Sequence, residues 1–182
     1  MDSKYIPAAD SFIEEGIDYR RIAASVAANS ITGEEFRDRA EKLLIRFFND
    51  EDKQIRQQAD DVFGKIGSSD LGRFIDLVWH YLKSKAFYDD DAFFFFNTLK
   101  DASLPIHEFV IHAAEFIIED SAHNESHHRQ HDLFQLMDLL KHEYAASEKS
   151  PEIRRRFLDI IDKMLEKELY GIDEILKVHE RE

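Results

Sequence analysis

The chain of 182 residues contains no cysteine, and it has few residues that punctuate turns, with 3 prolines and 6 glycines. The absence of cysteine excludes disulfides and zinc–thiolate sites, and it is compatible with a reducing cytosol. Sparse glycine and proline, together with abundant Glu, Lys, Ala and Leu, indicate helices. No Asn-Gly or Asp-Gly hairpin signal is present. The sequence therefore predicts an all-α protein.

The sequence also lacks a long apolar run and an excess of basic residues. No run approaches the roughly 20 apolar residues that a membrane helix needs, and the stretch MDSKYIPAADSF has neither the charged start nor the apolar core of a signal peptide. The net charge is −14, and such a surface repels phosphate backbones. We therefore expect a cytoplasmic protein that binds neither membranes nor nucleic acids.

Apolar residues recur at helical spacing along most of the chain. In DKQIRQQADDVFGKI and again in SPEIRRRFLDIIDKML they fall at offsets 0, 4, 7, 8 and 11, which lie on one face of a helix. The loops between such segments are short, which makes sequential helices antiparallel neighbours. No Ser/Gly-rich linker divides the chain, so we expect a single domain over residues 1–182. The predicted helices are 8–15, 18–29, 33–48, 52–66, 70–85, 90–101, 105–121, 126–146, 150–168 and 172–180.

Several residues mark where helices should begin and end. Thr32 and Glu35 form a candidate capping box for helix 33–48. Ser150 followed by Pro151 is typical of an N-cap with proline at the first helical position. Gly171 is well placed to end the helix that starts there. These signals agree with the periodicity and support the all-α prediction.

The segment FFNDEDKQIRQQADDVFGKI, residues 47–66, combines a helix end, an acidic turn and a second helix with an arginine near its start. It resembles the HEAT repeat, in which pairs of antiparallel helices stack into an α-solenoid. Under this resemblance, Arg56 and the turn acids would form a hydrogen-bonded ladder between neighbouring units. A shift of 98 residues places Arg154 in the position of Arg56. The residues that match the second helix of the repeat are Ile55, Arg56, Ala59, Val62, Phe63 and Ile66.

The C-terminal third, PEIRRRFLDIIDKMLEKELYGIDEILKVHER, is similar to the closing segment of large bacterial HEAT-containing proteins that carry an NTPase domain upstream. The resemblance implies a non-catalytic protein-interaction or regulatory module, whose protein partner is an NTPase domain in the same polypeptide or in the same complex. The GxxxxGK spacing of a phosphate-binding loop does not occur in this sequence. We therefore assign no cofactor and no catalytic residue.

The stretch SAHNESHHRQHD contains four histidines: His123, His127, His128 and His131. His127 and His131 are one helical turn apart, which is a workable spacing for two zinc ligands. His128, however, stands where an HExxH metalloprotease has its catalytic glutamate. We favour a polar joint between two helices. The alternative is a helical metal-binding protein or metal-dependent enzyme that uses the His123–His131 cluster.

The stretch DDDAFFFF, residues 89–96, raises a packing question. Four consecutive phenylalanines on a helix span about 300°, so they cannot all face one neighbour. Either the helix is packed on several sides, which we favour, or one ring is exposed and binds a partner. The preceding acids Asp89–Asp91 favour the positive end of a helix. These acids, together with the pairs Asp60–Asp61 and Glu14–Glu15, are predicted to be caps and solvated side chains rather than catalytic carboxylates.

Overall fold

The computed structural model describes residues 16–121 and 127–169, with side chains for residues 16–119 and 132–169. All regular secondary structure within these ranges is helical, which confirms the predicted all-α class. No helix in the described ranges is long and apolar enough to cross a membrane. The predicted helices 8–15 and 172–180, Glu14–Glu15 and Gly171 lie outside the described residues. The helices are α1 Ile17–Ser30, α2 Arg37–Phe47, α3 Lys53–Asp60, α4 Ile75–Leu82, α5 Lys85–Asp89, α6 Phe93–Lys100, α7 His107–Ser121, α8 His127–Ala146 and α9 Pro151–Glu166, with short 3-10 helices at Ser68–Arg73 and Ser147–Lys149.

The chain forms two compact units that meet in sequence between Leu104 and Pro105. The first unit contains α1 to α6 and the second contains α7 to α9. Each unit is described separately below. A single domain over residues 1–182, and the stacking of its helix pairs into a solenoid, stay predictions.

In the first unit, α1 packs against α2 and α3, α3 also contacts α5, and α2 also contacts α4. The centre of this unit is a cluster of buried aromatic rings, namely Phe48, Phe63, Tyr81, Phe87 and Phe95. Most of these rings meet edge to face, with centroids 4.6 Å apart for Phe63 and Tyr81 and 5.2 Å apart for Phe63 and Phe95. Edge-to-face contacts of this kind each contribute about 0.5–1.5 kcal/mol beyond the burial of the rings themselves.

The predicted capping box at Thr32 and Glu35 is wrong. Helix α2 begins at Arg37, its N-cap position is Phe36, and no side chain caps it. The Gly33 N–H donates to the Ser30 carbonyl at 3.0 Å, and the Phe36 N–H donates to the Gly33 carbonyl at 3.3 Å. Local turns therefore already use the backbone groups that a helix starting at residue 33 would need.

The predicted helix 52–66 is shorter in the structure, because α3 ends at Asp60. Its start is capped by Asp52, whose carboxylate accepts the Gln54 N–H at 2.8 Å. Beyond Asp60 the chain continues in tight turns, in which the Val62 N–H donates to the Ala59 carbonyl at 3.1 Å. The turns keep the apolar face of the segment intact, so that Val62, Phe63 and Ile66 are buried as the spacing predicts.

The predicted helix 70–85 is divided in the structure. A 3-10 helix at Ser68–Arg73 precedes α4, and α5 begins immediately after Ser84. The Ser84 hydroxyl donates to the Tyr81 carbonyl at 2.7 Å, which satisfies one of the last carbonyls of α4. Because of this division, the short helix α5 and the acids Asp90 and Asp91 directly precede α6.

In the second unit, α7 contacts both α8 and α9. The apolar face of α9 is buried as predicted, at Phe157, Ile160, Ile161 and Met164. Pro151 is the first residue of α9, as predicted, but Ser150 occupies the N-cap position without a side-chain hydrogen bond. Near the end of α7, the Lys167 ammonium donates to the Ile118 carbonyl at 2.7 Å. A cation in that position is favourable for the negative end of a helix.

Candidate functional site

The four consecutive phenylalanines of α6 divide into a buried pair and a partly exposed pair. Phe95 and Phe96 are fully buried, whereas the side chains of Phe93 and Phe94 are 39% and 43% exposed. The rings of Phe93 and Phe94 contact each other at a centroid distance of 5.5 Å. Of the two hypotheses for this stretch, the structure supports an exposed aromatic group, with two rings rather than one. We call Phe93 and Phe94 the α6 aromatic surface.

An acid contacts the start of α6, but it does not occupy the predicted cap position. Helix α6 begins at Phe93, its N-cap residue is Ala92 without a side-chain hydrogen bond, and the Phe93 N–H donates to the Asp91 carboxylate at 2.8 Å. Further along the helix, Thr98 is buried. Its hydroxyl oxygen lies 2.7 Å from the Phe63 carbonyl oxygen and 2.9 Å from the Phe94 carbonyl oxygen. Thr98 and the buried rings fix the rotation of α6. Phe93 and Phe94 then lie on the remaining side because successive residues turn by about 100°.

Phe94 also rests on the turn that follows α3. A Cβ added at Gly64 would lie 3.5 Å from the Phe94 Cδ1 atom and 3.8 Å from its Cε1 atom. The Phe94 ring therefore lies beside this turn, close enough to contact a side chain that replaced the glycine at position 64.

Asp60 is buried at the end of α3, which corrects the prediction that it is a solvated side chain. Burial above all, together with the nearby carboxylates of Asp61, Asp90 and Asp91, raises the pKa of its carboxyl to about 8. The neighbouring Tyr81 hydroxyl favours the charged form and acts in the opposite direction. The Asp60 Oδ1 atom has no hydrogen-bond partner among the described residues. Asp60 is therefore protonated at neutral pH, because no cation compensates its burial.

Arg56 joins α3 to the acidic segment before α6. Its Nε donates to Asp90 Oδ2 at 2.7 Å, and its Nη1 donates to the carbonyls of Asp50 and Glu51 at 3.0 and 3.1 Å. Asp90 is buried, so it too departs from the predicted solvated acids. The hydrogen bond to Asp90 raises the pKa of the Arg56 guanidinium. Arg56 therefore makes structural contacts with the acidic turn and with Asp90, whereas the predicted ladder between repeat units and membership of a HEAT repeat stay predictions.

Asp89 differs from Asp90 in its surroundings. Its side chain is 56% exposed, and its Oδ2 atom lies 3.8 Å from the Arg56 Nη2 atom, beyond hydrogen-bonding distance. Arg56 makes its short contacts with Asp90 instead. Asp89 therefore presents a negative charge to solvent four residues before Phe93.

The histidine cluster lies largely outside the described residues. Helix α7 ends at Ser121 and α8 begins at His127, which places His127 and His131 one turn apart on α8. His123 and the side chains of residues 127–131 are outside the description. Across the residues whose side chains are described, no group of three or more His, Cys, Asp or Glu side chains could hold a metal ion. Metal binding by the His123–His131 cluster stays a prediction.

The burial of Asp60 was not predicted from the sequence, although a signal for it exists. Asp60 follows Arg56 by four residues, so the two share a side of α3. Once Arg56 is interpreted as a buried structural residue, Asp60 is expected to lie in the same buried environment. The charge of Asp60 argued against this placement, because isolated carboxylates are rarely buried in the ionised form.

Comparisons with known proteins add no family to these observations. No protein-family model, no curated protein and no solved structure matches this chain. Support for a function therefore comes from the residues of this chain and from the resemblance to HEAT repeats.

Proposed function

We propose that this protein is a non-catalytic module that binds another protein through the α6 aromatic surface. The observation that carries the proposal is the partial exposure of two adjacent rings on one helix, directly before two rings that are fully buried. Single exposed apolar side chains are common on protein surfaces and need no explanation. Two rings in contact form a larger apolar surface, and aromatic residues often anchor protein interfaces.

The way in which α6 is held supports this proposal. Phe95 and Phe96 bury the opposite side of the helix, and the Asp91 carboxylate fixes its first turn. A surface that is already ordered loses little conformational entropy when it binds. The exposed rings are thus presented in a defined geometry before a partner arrives.

The resemblance to HEAT proteins supplies the class of partner. It implies an NTPase domain, in the same original polypeptide or in the same complex. The contacts of Arg56 with the acidic turns are of the type that the resemblance implies, and they support the proposal. A helical scaffold of this kind binds by surface complementarity and needs no catalytic residue. Because one fold can serve many functions, binding to a partner is the decisive test.

The test compares affinity capture by the wild-type chain and by the double variant Phe93→Ser/Phe94→Ser. Phe134→Ser is the matched control, because Phe134 is a single aromatic residue, 61% exposed, on α8 in the other unit. Circular dichroism first establishes that each variant retains its helices. We expect a stoichiometric partner that the wild type and Phe134→Ser retain and that the double variant loses.

The captured partner is then purified and its dissociation constant is measured by calorimetry. Loss of two anchoring rings should weaken binding by about 100-fold or more, since each such anchor contributes about 2 kcal/mol. Equal affinity of the wild type and of the double variant for every stoichiometric partner would contradict the proposal.

A second candidate function is supported by α1. This helix exposes Ile17, Tyr19 and Ile22, and Ile22 lines a shallow groove with Asp18, Arg21, Ser25 and Gln58. In a repeat protein, such a face packs against the preceding unit, and the chain would then be a structural cap that closes a longer array. Light scattering tests this function. Dimers of the wild type that become monomers in Tyr19→Ser/Ile22→Ser would support it, and monomers of both would contradict it.

A further inference from the structure

Resting on the proposed function, we propose that the α6 aromatic surface receives an arginine side chain from a basic segment of the partner protein. The guanidinium would stack on the rings of Phe93 and Phe94 and would pair with the carboxylates of Asp89 and Asp91. The inference rests on the juxtaposition of exposed rings with exposed or half-exposed acids at the start of one helix.

The first step is the position of the acids relative to the rings. Asp91 is half-buried and contacts the backbone of Phe93 directly, at 2.8 Å from its amide nitrogen. Asp89 is exposed and lies two residues earlier. The turn at Gly64 also contains Asp61, whose carboxyl is half-buried; burial raises its pKa, and the nearby Lys65 acts in the opposite direction. The carboxyl groups next to the start of α6 are therefore those of Asp89 and Asp91.

The second step is the pairing of the cations in this region. Two cations pair with the Asp90 carboxylate. The Arg56 Nε atom lies 2.7 Å from Oδ2, and the Lys53 Nζ atom lies 3.6 Å from Oδ1. Lys85 pairs with Glu51 at 2.6 Å. The closest described contact of Asp89 with a cation is longer, at 3.8 Å from Arg56. A cation from a partner can therefore pair with the Asp89 carboxylate, because Arg56 makes only this longer contact with it.

Several negative charges lie near the buried Asp60 at the end of α3. The carboxylates of Asp61, Asp90 and Asp91 all act on the buried carboxyl of Asp60 and disfavour its negative form. The same field that disfavours a further anion at Asp60 favours a cation at the surface nearby. The presence of Asp89 and Asp91 next to the exposed rings distinguishes this surface from a purely apolar docking surface.

The fourth step is the choice of arginine. A purely apolar side chain placed on these rings would remove water from Asp89 and Asp91 without replacing their hydrogen bonds, which is unfavourable. A guanidinium lies flat on an aromatic ring and donates hydrogen bonds in its own plane, so it can engage a ring and a carboxylate together. A lysine ammonium provides the charge but cannot stack, and it is more strongly hydrated.

The experiment uses the full chain, labelled with nitrogen-15, and follows its amide resonances during titration with synthetic peptides. The probes are three short peptides of identical length and leucine content, in which the remaining residues are serine with arginine, lysine or glutamate. We expect the arginine peptide to shift the resonances of Phe93, Phe94 and Asp91 and to bind more tightly than the lysine peptide. We expect the glutamate peptide to leave these resonances unchanged.

The variant Asp89→Asn/Asp91→Asn removes both charges, and asparagine at position 91 can still accept the Phe93 N–H. It should weaken binding of the arginine peptide by about tenfold at low ionic strength and by less at high salt. The matched control is Glu35→Gln/Asp38→Asn, which removes two exposed carboxylates, one just before α2 and one in its first turn. This control should leave the affinity for the arginine peptide within about twofold of the wild type, because single surface charges contribute little.

The outcomes separate this inference from the proposed function. Equal binding of the arginine and glutamate peptides at Phe93 and Phe94 would overturn the inference while leaving a docking surface in place. Binding of the arginine peptide that the control variant weakens as much as Asp89→Asn/Asp91→Asn would also overturn it. If no peptide shifts the resonances of α6, the inference is overturned, and the capture experiment with Phe93→Ser/Phe94→Ser decides the proposed function independently.

Discussion

Arg56 in the first unit and Arg154 in the second occupy equivalent places in the sequence pattern, but their surroundings differ. Arg56 is buried and donates to Asp90 and to two backbone carbonyls. Arg154 is half-buried, its guanidinium lies over the Tyr144 ring at 4.5 Å, and its Nη2 donates to the Tyr144 hydroxyl at 3.0 Å. The shared pattern therefore specifies the buried apolar face of a helix in both units, whereas the neighbouring segments specify the partner of the arginine.

The apolar positions of the two helices differ as well. Ala59 of α3 and Phe157 of α9 align under the shift of 98 residues, and both are fully buried. Helix α3 packs on α1, which buries Ala23, Ala24, Ala27 and Ala28. Small residues on α1 and a small residue at position 59 allow the two helices to approach closely. In the second unit, the same position is filled by a large ring.

The largest expected effect is that of Phe157→Ala. Removing this ring leaves a cavity in the core of the second unit, so the free energy of unfolding should fall by about 3–5 kcal/mol. Urea unfolding followed by circular dichroism measures the change. The control Phe134→Ala removes an exposed ring and should change the stability by less than about 0.5 kcal/mol. Similar losses for both variants would contradict the burial of Phe157.

The next effect concerns Arg56. Replacing it with methionine leaves the Asp90 carboxylate buried without its closest partner, which should cost about 3 kcal/mol. Fluorescence of Trp79 follows unfolding of the first unit, because it is the single tryptophan of the chain and lies on α4. The double variant Arg56→Met/Asp90→Leu removes both charges and should recover a part of this loss. A double variant that is less stable than Arg56→Met would indicate that the carbonyl contacts of Arg56 dominate.

Asp60→Asn should alter how stability depends on pH. The folded chain keeps a proton on Asp60 that the unfolded chain loses, because the pKa is about 8 in the fold and 3.8 in the unfolded state. The free energy of unfolding of the wild type should therefore fall as pH rises from about 4 to about 8, and then level off. We expect a loss of about 2 kcal/mol, less than the full shift corresponds to, because a buried carboxylate relaxes its surroundings.

The measurement is the difference between the unfolding free energies of the wild type and Asp60→Asn at several pH values, which cancels the titration of the histidines. The variant should gain stability relative to the wild type as pH rises through this window. Asp61→Asn, which replaces the neighbouring half-buried carboxyl, should show a smaller gain. A difference that does not change with pH would show that Asp60 titrates normally.

The smallest expected effect is that of Arg154→Met. Its contacts include a stacking interaction and one hydrogen bond to Tyr144 at a half-buried position, so the loss should be about 1 kcal/mol. Measured beside Arg56→Met by circular dichroism in urea, it tests the comparison of the two arginines directly. Equal losses for the two variants would mean that the equivalent sequence positions have equivalent roles after all.

The sequence was sufficient to predict several features of this fold. Helical spacing identified the buried faces that contain Ile55 and Phe157, and proline at position 151 marked the start of α9. Such features depend on residues close in sequence, so periodicity and local backbone preferences reveal them. The prediction for Thr32 and Glu35 was wrong because a competing turn at Gly33 uses the same backbone groups. Two local motifs compete there, and the sequence pattern contains no measure of their relative stability.

The spacing of apolar residues in the sequence establishes that the chain is helical and which residues share a face of each helix, because a period of 3.6 residues follows from backbone geometry. The number of covered faces on each helix, in contrast, follows from tertiary packing. It buried Phe95 and Phe96 while leaving Phe93 and Phe94 partly exposed, and it buried the carboxyl of Asp60 beside Tyr81. The physical reason is that burial depends on neighbours that are distant in sequence. Thr98 meets Phe63 across 35 residues and Arg56 meets Asp90 across 34.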